Sequence, residues 1–141
     1  MVTLGKHAKY EIMEAIRLAE EHTTGEIRVH IKPRGGPETM KEAVKVFRKL
    51  GMHRTRERSG VLIFVALGSR SFTILGDEGI HQKVGDEFWN SARDTMSGLF
   101  SAGKRIEAIV AGVRCAGEKL KQHFPSVQDN PNELPNEVSQ G

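Results

Sequence analysis

Apolar positions change their period several times along the chain, and each change marks an element. From Lys6 to His22, the residues Ile12, Ile16 and Ala19 recur at spacings of three and four with Glu and Lys between them, and Thr23-Thr24-Gly25 ends the run. An amphipathic first helix is predicted. Glu26-Ile27-Arg28-Val29-His30-Ile31 then alternates, which places Ile27, Val29 and Ile31 on one face of a strand. Pro33-Arg34-Gly35-Gly36-Pro37 breaks that strand, and Met40, Ala43, Val44, Phe47 and Leu50 predict a second helix closed by Gly51. The run Val61 to Leu67 is apolar on both faces, as a central strand covered on each side requires. Gly68-Ser69-Arg70 turns the chain into Ser71 to Leu75, so these two strands should form a hairpin. The first strand reaches the second through a helix and is expected to run parallel to it. Two further helices are predicted. One runs from Asp86 to Phe100 with Trp89, Ala92, Met96 and Leu99 inward, the other from Lys104 to Phe124 with Ile106, Ile109, Val113, Ala116 and Leu120 inward.

These elements assemble into an α/β class, a three-layer α/β/α sandwich with a small mixed sheet of three to four strands flanked by about four helices. Residues 1–125 form one expected domain, and 126–141, rich in Asn, Pro and Glu, form a polar tail. A chain of 141 residues buries a core without needing disulfides or metals. The longest apolar run is far shorter than the roughly 20 residues that cross a bilayer, and no apolar stretch follows the lysines at the N-terminus. The expected location is cytoplasmic and the expected state monomeric. The one cysteine, Cys115, lies in a helical pattern, has no partner for a disulfide, and reads as structural.

Charge adds an asymmetry. The last fourteen residues carry three carboxylates and no Lys or Arg, so residues 1–127 hold 21 − 15 = +6 against +3 for the whole. Much of the excess lies between Lys41 and Arg58, where Lys41, Lys45, Arg48, Lys49, Arg54, Arg56 and Arg58 face only Glu42 and Glu57. Such a segment can attract nucleic acid, anionic lipid or a phosphorylated partner, and it reads equally as a solvated helix face and loop. Few aromatic residues interleave with it, so base stacking has little support and nucleic acid is not an expected partner.

The strong catalytic motifs do not occur. The chain has no phosphate-binding lysine loop, GxGxxG, HExxH or paired CxxC, and its six histidines show no pair spaced for zinc on a helix. What it does contain is an ordered set of short strings. These are Thr24-Gly25-Glu26-Ile27, Ser59-Gly60-Val61-Leu62-Ile63, Phe72-Thr73-Ile74-Leu75-Gly76-Asp77-Glu78-Gly79-Ile80, Trp89 and Phe124-Pro125. In that order, over about Tyr10 to Pro125, they resemble the TPM domain family, whose founding members are thylakoid-lumen, photosystem II repair and receptor-modulator proteins. The tail Asp129-Asn130-Pro131-Asn132-Glu133-Leu134-Pro135 looks like that of a soluble cytoplasmic subgroup. The resemblance implies a small α/β/α domain, often called a phosphatase, some of whose members bind divalent cations through surface carboxylates. Many members carry an acidic residue just before Asn-Gly-Val-Leu, where this chain has Arg58-Ser59-Gly60. A cation there takes away one metal-ligating oxygen.

Two candidate sites follow from the predicted strand order. At one rim Glu26, Arg58 and Asp77 converge, and Glu78, His81 and Asp86 follow in a loop containing Gly76, Gly79 and Gly85. Glu26, Asp77, Glu78 and Asp86 could then supply oxygens to Ca²⁺ or Mg²⁺. The plainer reading has Asp77 making a turn, Asp86 capping the next helix and Glu26 pairing with Arg58. At the opposite rim Lys32, Arg34, Gly35 and Gly36 precede a helix, with Arg70 on the neighbouring turn, and could hold an anion. A solvated linker is the alternative. Three functions are expected in descending order: a module binding a protein partner or assembling complexes with little or no catalysis, a divalent-metal-dependent phosphatase, and a binder of anionic lipid or nucleic acid through residues 41–58.

Overall fold

The computed structural model describes residues 4–35 and 38–126. Along these residues the order is α1 (Lys6–Glu20), β1 (Glu26–Lys32), α2 (Thr39–Lys49), a 3₁₀ turn (Met52–Arg54), β2 (Gly60–Ala66), β3 (Ser71–Gly76), α3 (Glu78–Ser101) and α4 (Arg105–His123). The polar tail expected at 126–141 lies, after its first residue, outside the described residues, as does Gly36. No helix among the described residues is long and apolar enough to cross a membrane.

The sheet is mixed and has three strands in the order β1-β2-β3. β1 runs parallel to β2, from Glu26 opposite Gly60 to Lys32 opposite Ala66. β3 returns antiparallel, from Val61 opposite Gly76 to Ala66 opposite Ser71. Every residue of β2 is buried, as its unbroken apolar run predicts. Because side chains alternate across a strand, β2 feeds two separate cores. Val61, Ile63 and Val65 pack with Ile27, Ile74 and the inner stripes of α1, α3 and α4. Leu62, Phe64 and Ala66 meet Ala43 and Phe47 of α2, together with Met52. Each large side chain here contributes about 1.5–3 kcal/mol on burial. The layers are therefore uneven, with three helices on one face of the sheet and α2 on the other.

The single helix on the second face explains a departure from the predicted stripe. Met40, Val44 and Leu50 are 49%, 38% and 51% exposed, and the inward stripe of α2 is Ala43, Val46 and Phe47. One helix on a sheet has only one neighbour to pack against, so its apolar stripe is narrow.

A second departure concerns residues 76–85, expected as a glycine-containing loop. The chain instead enters α3 at Glu78, directly after β3, and only Gly85 (φ 74°, ψ 174°) interrupts the helix. Gly76 and Gly79 are present for close approach. A Cβ at Gly79 would lie 2.0 Å from the Glu57 carbonyl oxygen, and one at Gly76 would lie 2.3 Å from the Trp89 ring. The left-handed backbone of Gly85 turns the second segment of α3 so that Trp89, Ala92 and Met96 reach the core. Trp89 Nε1–H donates to His81 Nδ1 at 2.9 Å, which ties the two segments across the bend.

The beginning of β1 is fastened to the end of α4. Thr23 and Pro125 form a β-bridge, Thr24 N–H donates to the Phe124 carbonyl at 2.9 Å, and the Thr23 hydroxyl donates to the Leu120 carbonyl at 3.0 Å. Gly25 N–H returns to the Thr23 hydroxyl at 3.0 Å. The short Thr-Thr-Gly string thus satisfies backbone groups from two distant elements.

Gly79→Ala is expected to lower stability by about 1–3 kcal/mol, because the atoms met are backbone and cannot rotate away. Gly98→Ala, at an open helical position, should instead leave stability unchanged or raise it by up to about 1 kcal/mol. Urea unfolding of the two variants checks both signs.

Candidate functional site

The first rim is organised by Arg58. The residue has a positive φ of 53°, unusual for a residue with a Cβ. That conformation is held by its surroundings: Arg58 N–H donates to the Thr55 carbonyl at 3.2 Å, and its own carbonyl accepts from Ile80 N–H at 3.3 Å. Its guanidinium reaches Asp77 in a two-pronged contact, Nε to Oδ2 at 2.7 Å and Nη2 to Oδ1 at 2.8 Å. Nη1 lies 3.7 Å from Glu78 Oε1. Asp77 is also the N-cap of α3, its Oδ1 accepting from Glu78 N–H at 2.8 Å. The Asp77 side chain is only 7% exposed and that of Arg58 is 43% exposed. The hydrogen bond to Asp77 is the main cause that holds the guanidinium charged, above its ordinary range.

The other predicted ligands take separate partners. Glu26 lies 3.9 Å from Arg28 Nη2, so it does not pair with Arg58 as expected. Asp86, with its side chain 89% exposed, faces His81 Nε2 at 3.5 Å across the Gly85 bend. Glu78 points its carboxylate at the same guanidinium that occupies Asp77. Among the described residues no three His, Cys, Asp or Glu side chains are grouped to hold a metal ion. Glu26, Asp77, Glu78 and Asp86 are therefore not gathered into one oxygen set, because the expected loop is a helix and spreads its residues along a turn. Asp77, the buried carboxylate, already accepts from three N–H groups. These carboxylates thus do not present, among the described residues, the grouped oxygens that a hard divalent cation favours.

The predicted anion residues also separate. Lys32 Nζ is 3.0 Å from Glu42 Oε2, with both side chains about one-third exposed. Gly35 N–H donates to Ser69 Oγ at 3.2 Å, and Gly68 N–H donates to the Pro33 carbonyl. This segment is thereby laced to the β2–β3 turn. Arg34 is exposed, and Gly36 lies outside the described residues. Arg70 turns to a different neighbour. It lines a cleft of about 540 Å³ with Arg105, Phe72, Phe100, Ser97 and Ser101, between the β2–β3 turn and the junction of α3 with α4. Sequence reasoning passes over Arg105, since an arginine opening a helix has no local pattern connecting it to a turn 35 residues earlier.

The basic segment 41–58 is spread over several surfaces. Lys41 pairs with Glu38 at 3.2 Å, Glu57 accepts from the Thr24 hydroxyl at 2.8 Å, and Arg58 belongs to Asp77. Cys115 is half-buried, and burial first, then the Glu118 carboxylate, pushes its thiol above the ordinary range.

Two expectations follow from this electrostatic arrangement. Arg58→Ala should lower the thermal midpoint by several degrees and Arg56→Ala should not, because only the first leaves a buried carboxylate short of donors. Cys115 should react with a thiol reagent at pH 8 several-fold more slowly than glutathione does, the rate catching up only at higher pH as the thiolate forms.

Comparison with known proteins places the fold. The NMR structure of the BA42 protein from the psychrophilic bacterium Bizionia argentinensis is similar at 38% identity over 99% of this chain and 97% of that one, with a TM-score of 0.83. The N-terminal domain of the cg2496 protein from Corynebacterium glutamicum shares the fold at 14% identity, 84% and 74% coverage and a TM-score of 0.62. None of the curated proteins matches. The TPM domain model matches residues 3–119, which carry all three strands, the Arg58–Asp77 pair and most of α4, and on this agreement of sequence and fold the chain belongs to the TPM domain family.

Proposed function

We propose that the chain is a binding module, an accessory to a protein partner, and that it does not work as a metal-dependent phosphatase. One observation carries this reading. The buried rim carboxylate, Asp77, has both oxygens engaged by the Arg58 guanidinium at 2.7 and 2.8 Å. A phosphoryl-transfer site built here would need Asp77 to hold a cation that polarises the phosphoryl group. The guanidinium holds that position, on a backbone whose unusual φ is fixed by hydrogen bonds on both sides. A serine or cysteine nucleophile is equally unsupported at this rim, since Ser59 is buried and Cys115 belongs to a helix packed on the core.

An accessory role accounts for what remains. The rim presents charged side chains in pairs, and the outer side of α2 shows Met40 and Val44 among Lys41, Lys45 and Arg48. Of these side chains, Met and Arg are of the types enriched where proteins meet. The half-buried single cysteine suits a reducing compartment, and the module is expected to act in the cytoplasm.

Titration with millimolar Ca²⁺ or Mg²⁺ should leave the backbone amides of Glu26, Asp77, Glu78 and Asp86 unshifted, and hydrolysis of p-nitrophenyl phosphate should not exceed that of an Asp77→Asn preparation. Arg58→Asp, which sets a third carboxylate beside Asp77 and Glu78, should acquire saturable Ca²⁺ shifts. Wild-type turnover that is lost in Asp77→Asn would establish the phosphatase instead. Native mass spectrometry of the chain recovered at natural abundance should show a discrete heteromer, and the 15.7 kDa monomer alone would count against an accessory role.

A further inference from the structure

The cleft at the β2–β3 turn combines aromatic and cationic side chains. Its volume, about 540 Å³, falls within the range of small-molecule sites. One wall is apolar, with Phe72 and Phe100 in contact at a centroid distance of 5.0 Å. Arg70, Arg105, Ser97 and Ser101 also line the cleft, and no Asp or Glu is among the residues that do. Among the described residues neither guanidinium has an ion-pair or hydrogen-bond partner, in contrast to those of Arg17, Arg28 and Arg58, each of which has a carboxylate.

The backbone gives an independent indication. Among the described residues only two that are not glycine have positive φ, Arg58 and Arg70. The first is explained by Asp77. Arg70, at φ 52°, closes the turn with its N–H donating to the Leu67 carbonyl at 3.3 Å, a position that glycine or asparagine fills at lower cost. A long cationic side chain in a left-handed position, without a partner among the described residues, has no structural duty there. The turn lies about 20 Å along β3 from Asp77, so the cleft is separate from the carboxylate rim.

We infer that this cleft is a binding site for a small amphipathic organic anion, whose carboxylate or phosphate head is held by Arg70 and Arg105 and whose aliphatic or aromatic body lies against Phe72 and Phe100. Guanidinium groups pair with either head through parallel N–H donors, and the two serine hydroxyls of the lining are further donors. An apolar floor with a few converging polar groups distinguishes such a ligand from free inorganic phosphate. The site does not depend on the accessory reading of the opposite rim.

The test uses the whole chain with phenylbutyrate and phenyl phosphate as probes, followed through backbone amide shifts. Both should saturate, with shifts concentrated at residues 65–72 and 97–105, and the tighter of the two identifies the preferred head. Arg70→Gly is the informative variant. Glycine suits the left-handed turn, so its thermal midpoint should equal or exceed that of the wild type while the dissociation constant rises at least about tenfold, as loss of a charge-assisted contact predicts. Arg105→Gln should weaken binding to a similar extent. Inorganic phosphate binding as tightly as phenyl phosphate would overturn the proposal, since the apolar wall would then contribute nothing. Unchanged affinity in both variants, or shifts confined to other surfaces, would do the same.

Discussion

The burial of β2 on both faces is the constraint on which the molecule depends. A strand with no solvent-facing side must be covered by two layers and paired along both edges. Once Val61, Ile63 and Val65 face one way and Leu62, Phe64 and Ala66 the other, the remaining elements can only be placed around it. The parallel partner brings Glu26 beside Gly60, and the antiparallel partner brings Gly76 beside Val61. The ends of all three strands therefore meet at two rims.

Most of the architecture is legible in the sequence, because periodicity reports burial and burial decides the elements. The apolar run from Val61 to Ala66 in β2 and the stripe of α4 read correctly for this reason, while on the predicted inner face of β1 Ile27 is buried and Val29 and Ile31 only partly so. What misleads is glycine. Gly76 and Gly79 have the appearance of turn residues, yet one makes room for the Trp89 ring and the other for the Glu57 backbone. Close approach and chain reversal select the same residue type, and a single sequence does not separate them.

The carboxylate rim was half legible. Strand order alone assembles Arg58 and Asp77 at one end of the sheet, but which carboxylate the arginine takes depends on side-chain direction. Asp77 takes the guanidinium where Glu26 does not, and as the N-cap of α3 its carboxylate is also oriented by Glu78 N–H. Glu26 stays close to Arg28 on its own strand. Arg105 is invisible for a different reason, since its neighbours at the cleft come from the β2–β3 turn and α3 and no local pattern announces them.

The ion pair at the first rim also has a meaning in terms of mass action. A dissolved ion occupies a carboxylate site according to its concentration, and any stability it confers rises and falls with that concentration. Arg58 is covalently part of the chain, so the positive charge beside Asp77 has a constant effective concentration and is neither diluted nor removed by a chelator. The start of α3, and the Trp89–His81 contact that rests on it, are thus held by a counter-ion that the protein carries with it wherever it is made.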